Sequence, residues 1–286
     1  MSGSLDLDQI LQVLSQSPDF GLEACRNFAQ FLIKQVPDYA AAHQLILWCD
    51  RKQAAKAEQQ SLDSQTINCY RTIVTEEEQL FKALDHVVVE SGEPLEGNCF
   101  YYHLSLKPSA LLENKRINLF SSATQAQKIL EIGFNAGHSA ALMLLANPNS
   151  NLLAFDICEH RYTEGCFAVL AERFPHRIDL IAGDSNTTLP LFRLEHPAVY
   201  FDLLHIDGSH AYQTATADFM NCHSLAKHGS LMIWDDTDNV ELDLLFNAFV
   251  EDHLIVERFD FLPTFTYCHR IGQAIKHTSL LNDGSD

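Results

Sequence analysis

Positive charge is what this 286-residue sequence has least of: 19 lysines and arginines stand against 38 aspartates and glutamates, a net charge of −19. An acidic body repels phosphate backbones unless its cations gather on one face. No basic cluster is present, so a nucleic-acid partner is not expected. Paired cysteines are missing too. Cys25, Cys49, Cys69, Cys99, Cys158, Cys166, Cys222 and Cys268 are scattered with no C-x-x-C, which points to reduced, mostly buried thiols in a cytoplasmic protein. The opening "MSGSLDLDQI" has no basic segment leading into an apolar core, and no apolar run approaches the length of a membrane span. A soluble, cytoplasmic chain without a membrane partner is expected. Hydrophobic residues at 47% and charged residues at 20% exclude a disordered or coiled-coil chain.

What is present changes character along the chain. From about Leu5 to Leu84 apolar residues recur at helical spacing: "FGLEACRNFAQFLIKQV" sets Phe20, Ala24, Phe28, Phe31 and Leu32 on one side. "PDYAAAHQLILWCDRKQAAKAEQQ" predicts a second helix and "TINCYRTIVTEEEQLFKALDHVV" a third. An irregular connection rich in Gly, Pro and aromatics follows, and Tyr101, Tyr102 and His103 within it are candidate lid residues. These features divide the chain into a helical accessory domain, residues 1–115, for oligomerisation or for covering a site, and a second domain, residues 116–286. A homodimer through the N-terminal helices is one expectation.

From Gln127 onward, "KILEIG", "NLLAFDI", "IDLIAGD", "FDLLHID" and "SLMIWDD" alternate with amphipathic stretches. Continuous apolar strands of this kind belong in a parallel sheet covered on both faces, so a doubly wound α/β fold is predicted. "HLIVERFDFL" and "FTYCHRIGQAIK" lack a helix between them and predict an antiparallel C-terminal hairpin joined by a short link at Pro263.

In such sheets ligands sit beyond the carboxyl ends of the strands. The first strand end reads Glu131, Gly133, Asn135, Gly137, Ser139, where a dinucleotide fingerprint would carry a glycine in place of Asn135 and another in place of His138. A nicotinamide-dependent oxidoreductase is disfavoured on that ground, and anionic Glu131 suits a cationic ligand better than a diphosphate. Asp156 ends the second strand 23 residues after Gly133, where a carboxylate accepts the ribose hydroxyls of a nucleoside. Asp184 and Ser185 end the third and suit an adenine edge. The ligand so described is a nucleoside with a positively charged tail, which S-adenosylmethionine fits. A β-branched side chain at Gly133 or Gly137 is expected to fill the cofactor's space.

The ordered run "LEIGFNAGHSAALML … FDI … GDS … FDLLHIDGSH … SLMIWDDTD" resembles the class I S-adenosylmethionine-dependent methyltransferases, in particular the metal-dependent catechol and macrocin-type O-methyltransferases, over roughly residues 127–275. The resemblance implies a seven-stranded Rossmann-like sheet. It also implies Gly133, Asn135, Gly137 and Ser139 at the methionine end, Asp156 at the ribose, Asp184 with Ser185 at the adenine, and methyl transfer to a hydroxyl of a natural-product or sugar-like small molecule. Asp207 after the fourth strand and Asp235 and Asp236 after the fifth crowd one crevice mouth, where like charges need a cation or protons between them. Hard oxygen ligands favour Mg²⁺, and the resembling enzymes hold magnesium at these strand ends. Asp207 is also a candidate cofactor contact, and a helix-capping role for Asp235 and Asp236 is the competing reading. His210, in "DGSH", is the candidate general base. His205, inside the fourth strand, reads as a buried, hydrogen-bonded core histidine. The alternatives are a metal-independent N-methyltransferase and a cofactor-binding domain that serves protein interaction.

Overall fold

A computed structural model describes residues 22–37, 42, 43, 46, 49, 50, 64–102, 106–264 and 267–276. Leu22–Gln35 (α1) is helical as the spacing predicts. The second predicted helix lies largely outside the described residues. The third is two helices, Ser64–Glu76 (α2) and Glu78–Ser91 (α3), broken at Glu77. The break has a local cause: Glu77 turns out to pair with Arg173 at 2.5 Å, and its carbonyl caps the next helix by accepting from Leu80 N at 2.9 Å.

The sheet has the order β3-β2-β1-β4-β5-β7-β6, built from Lys128–Ile132 (β1), Asn151–Asp156 (β2), Ile178–Ala182 (β3), Phe201–Ile206 (β4), Ala226–Trp234 (β5), Ile255–Glu257 (β6) and Arg270–Ala274 (β7). The first five strands are parallel; β7 runs antiparallel between β5 and β6. The predicted terminal hairpin is therefore present, with residues 258–269 rather than a short link joining its strands. The crossover helices are Glu113–Ala123 (α4), His138–Ala146 (α5), Thr163–Arg173 (α6), Ser185–Glu195 (α7), Tyr212–Leu225 (α8) and Val240–Glu251 (α9).

Strand alternation sends residues to two cores. Ile129, Leu203 and Ile233 join Leu84, Phe120, Leu142 and Leu170 on one face, while Leu130, Leu204, Ile206 and Trp234 join Phe219, Phe246 and Phe249 on the other. The first core draws Tyr70, Leu80, Phe81, Leu84 and Val88 from α2 and α3 together with Ile117 and Phe120 from α4. The packing thus crosses residue 115, where the sequence suggests a division. A separate small cluster of Ala29, Leu32, Ala42 and Cys49 has Leu111 packed against it. Among the described residues no helix is long and apolar enough to cross a membrane.

Candidate active site

β1 and β4 are neighbours from which the sheet winds in opposite directions, so their ends open a crevice. Gly133 (φ +86°) and Gly137 (φ +74°) both use backbone open to glycine. A Cβ on Gly133 would collide with the carbonyl oxygen of Asp207, and one on Gly137 would stand 2.6 Å from Phe134 Cζ and 2.9 Å from Leu170 Cδ1. This corrects the expectation that a side chain there intrudes on the cofactor: it would first meet the protein. Asn135, at φ +52°, donates its N–H to Asp156 Oδ2 at 2.7 Å, and its side-chain amide donates to the carbonyls of Glu96 and Gly97. Asp156 Oδ1 accepts from Cys158 N at 2.7 Å. The turn, the ribose-side carboxylate and residues 96–97 are one hydrogen-bonded unit, with Ser139 buried in the first turn of α5.

Glu131 is fully buried; its Oε1 meets His205 Nδ1 at 3.0 Å, and its Oε2 has no partner among the described residues. A buried orphan carboxylate oxygen calls for a ligand donor. An ammonium such as the methionine end of S-adenosylmethionine meets that need, so these residues fit the cofactor. At the adenine side the structure puts the two candidates to structural use. Asp184 caps α7 by accepting from Asn186 N at 2.9 Å, and Ser185 hydrogen-bonds Asp218. Burial pushes the Asp218 carboxyl up to about 6, and its Oδ1 has no partner among the described residues.

Alternation places Glu131, His205 and Asp235 on the same face of three adjacent strands, with Glu131 opposite His205 in register. His205 Nε2 lies 3.4 Å from Asp235 Oδ2, and Lys115 Nζ, from the first turn of α4, lies 2.7 Å from the same oxygen. A file of alternating charge, Glu131–His205–Asp235–Lys115, therefore runs across the strand ends in the interior. Burial opposes charge on His205, but hydrogen bonds to Asp235 and Glu131 raise it to about 10. Burial likewise opposes the ionisation of Asp235, yet Lys115 and His205 hold it well below the usual carboxylate range. The Lys115 ammonium is lowered by burial and raised further by Asp235, Asp207 and Asp236, with a net upward shift. Asp207 is raised well above the ordinary value by burial and then by Asp235.

Of the candidate metal ligands Asp207 and Asp235 come together, with His205 in the place expected for Asp236: one ligand atom each of His205, Asp207 and Asp235 lies within 4.8 Å of the others. The cation among them is nonetheless a lysine. Both Asp235 oxygens are taken, Oδ2 as above and Oδ1 by Asp236 N at 3.0 Å. Asp236 turns away at φ +53° to put Oδ2 2.7 Å from His210 Nε2. The capping role considered for Asp235 and Asp236 belongs to Asn239, which accepts from Glu241 N at 2.9 Å. His210 is exposed at the rim of a cleft lined by Ile206, Asp207, Trp234, Asp235 and Asp236, and the Asp236 hydrogen bond raises its pKa.

Sequence reasoning missed Lys115 and assigned His205 to the core alone. His205 is buried and hydrogen-bonded as read, but both of its partners belong to the site. The only local signal for Lys115 is the pair of cations in "ENKRIN", placed in a chain otherwise poor in them. Of the lid candidates, Tyr101 is buried and donates to Asp85 at 2.7 Å, Tyr102 rests against Tyr267, and His103 lies outside the described residues. What reaches the cofactor turn from that connection is Glu96–Gly97.

With this geometry in hand, residues 130–237 match the family model described as a methyltransferase domain. That stretch is similar to a methyltransferase domain, and the fold is the one its solved structural neighbours share. Its structural neighbours include the O-methyltransferase TomG from Streptomyces achromogenes, involved in tomaymycin synthesis and solved with S-adenosylmethionine. That structure is 18% identical, with 69% of this chain and 90% of that one covered, at a TM-score of 0.51. An O-methyltransferase from Bacillus cereus in complex with S-adenosylhomocysteine is 16% identical, covering 68% and 91%, also at 0.51. A putative O-methyltransferase from Klebsiella pneumoniae is 15% identical, covering 69% and 90%, at 0.50. No curated protein matches the chain.

Proposed function

We propose that this protein transfers a methyl group from S-adenosylmethionine to a hydroxyl of a small-molecule acceptor, with His210 as general base. The observation that carries the reading is the His210–Asp236 pair, 2.7 Å apart and open to solvent at the same strand ends as the glycine turn. Glu131 would hold the ammonium end of the cofactor and Asp156 its ribose, the 133–137 turn lying between them. The bound cofactor supplies a methyl group on a sulfonium, already a strong electrophile. A neutral hydroxyl is a weak nucleophile, so the residues of this chain act on the acceptor. His210 Nδ1 takes the hydroxyl proton, while Asp236 accepts from Nε2–H, holds the ring and stabilises the imidazolium that forms. Glu96 and Gly97, whose carbonyls accept from the Asn135 side chain, help to hold the turn in place.

Magnesium on Asp207, Asp235 and Asp236 is the finer expectation for such a site. As arranged, the donor set does not fit it: Asp235 already answers Lys115, His205 and a backbone N–H, and Asp236 is engaged by His210. No step here runs through a metal. α1 and the small cluster about Leu32 lie apart from the cores on the sheet, and we assign them to dimerisation or to covering the acceptor.

The test is incubation with S-adenosylmethionine and a panel of hydroxylated natural products, sugars and phenols, with product mass read out. His210→Ala is expected to lower kcat by about 10²–10⁴ with cofactor affinity unchanged. Turnover restricted to amines, and indifferent to His210, would sink the hydroxyl reading.

A further inference from the structure

Lys115 occupies a position that helix energetics alone disfavours. It stands in the first turn of α4, where the macrodipole repels cations, and its side chain is 5% exposed against an Asp235 side chain 1% exposed. Removing a charge from water costs several kcal/mol unless a partner answers it. The partner here follows the end of β5, 120 positions along the chain, at 2.7 Å.

A divalent ion at these strand ends would need several ionised oxygens turned towards one point at about 2–2.6 Å. One oxygen each of Asp207 and Asp235 lies within 4.8 Å of the other, but the groups facing Asp235 are donors rather than further oxygens. Asp235 Oδ2 is held between two nitrogen donors, Lys115 Nζ and His205 Nε2, while Asp236 Oδ2 faces outward to His210. The ammonium stands where such an ion would have to approach Asp235. Two cations that close, beside a carboxylate almost wholly buried, repel one another.

We propose that Lys115 is the built-in cation of this crevice, standing in place of a divalent metal, so that the charge needed to hold the strand-end carboxylates together is encoded in the chain. Lys115 is a positioning residue: through Asp235 it fixes His205 and Glu131, and through the Asp235 backbone the turn that aims Asp236 at His210. Only the activity arm of the test rests on the methyl-transfer reading of the site.

The whole chain is purified, treated with a strong chelator and dialysed. Its thermal unfolding is then followed with no added metal and with millimolar Mg²⁺ or Mn²⁺, alongside elemental analysis of untreated protein. The expected result is no stoichiometric divalent metal and a Tm that added metal leaves unchanged. Lys115→Met leaves Asp235 facing a void of similar shape, and its Tm should fall by roughly 10 °C and rise again on adding Mg²⁺ or Mn²⁺, a response absent from the parent. Lys115→Arg should restore most of the loss without metal. If Lys115→Met does not fold, the parent measurements decide by themselves. One tightly held ion per parent chain, or a parent Tm that metal raises, overturns the proposal, as does a Lys115→Met protein as stable as the parent. Where an acceptor is known, turnover should survive chelation; absence of any methyl transfer, with these metal and Tm results intact, counts against the proposed activity and leaves Lys115 in its role.

Discussion

The His210–Asp236 contact sets a pH dependence whose sign is fixed by the chemistry. Hydrogen bonding to Asp236 raises the imidazole pKa above its ordinary value of about 6.5. A base must be unprotonated to act, so activity is expected to rise with pH through that raised value, the imidazole being largely idle below it. Asp236→Asn removes the negative acceptor, and the rising limb of kcat against pH should move to lower pH; an unmoved limb would show that another group titrates. At Glu131 the orphan oxygen leads to a different measurement. Glu131→Gln keeps the shape and removes the charge, and calorimetry should find S-adenosylmethionine bound roughly ten- to a hundredfold more weakly. Gly133→Ala is a poor probe of the same question. Its Cβ meets the Asp207 carbonyl and its φ is +86°, so the expected outcome is lost folded protein, seen as a collapsed yield and an absent unfolding transition. These strand-end residues were legible because short polar groups terminating apolar runs have few places to be. Lys115 was not, since what makes it matter is the docking of α4 over the end of β5, and neither segment carries a trace of the other.

At the scale of elements, the strands could be read from their apolar runs, and the helix over residues 66–88 was misread only where Glu77 breaks it. Hydrophobic periodicity reports which face is buried and says little about a one-residue interruption held by an ion pair to Arg173. The connection from Ser91 to Glu113 had no period to read because a single side chain organises it. Arg116, buried on α4, donates to Tyr70 Oη at 2.8 Å and to the carbonyls of Cys99, Phe100 and Ser109 at 3.1, 3.3 and 3.0 Å. Four acceptors converging on one guanidinium leave several buried polar groups stranded when it is removed. Arg116→Met is therefore expected to cost about 3–5 kcal/mol of stability in urea denaturation, and a loss below about 1 kcal/mol would mean that the connection is held by other contacts.

For the molecule as a whole, the sequence suggested a division near residue 115 because helical grammar gives way to strand grammar there. Packing follows a different line. Leu84, Val88, Phe100 and Phe120 share a core with Ile129 and Leu203, and Asp85 on α3 joins Tyr101 Oη at 2.7 Å to His138 Nε2 at 3.1 Å at the head of α5. A fragment beginning at Asn118 should fail to fold, since it lacks one wall of that core as well as Lys115 and Arg116. One beginning at Ser64 should give a cooperative thermal transition and bind S-adenosylmethionine. Cooperative unfolding of the shorter fragment would restore the division at 115.

The strand order has a consequence in time. Among the described residues β7 is the last strand made, yet it lies inside the sheet, pairing β5 on one side and β6 on the other. Domains assemble from the N-terminal end as the ribosome adds about 5–20 residues each second. Throughout the synthesis of residues 235–269 the β5 edge, Leu231 to Trp234, is therefore an unpaired apolar ladder, and β6 has no neighbour to join. The nascent chain carries its cofactor turn and acidic strand ends early but can close its sheet only once Arg270–Ala274 has emerged, which makes that interval its moment of greatest exposure to chaperones and to mispairing with other chains.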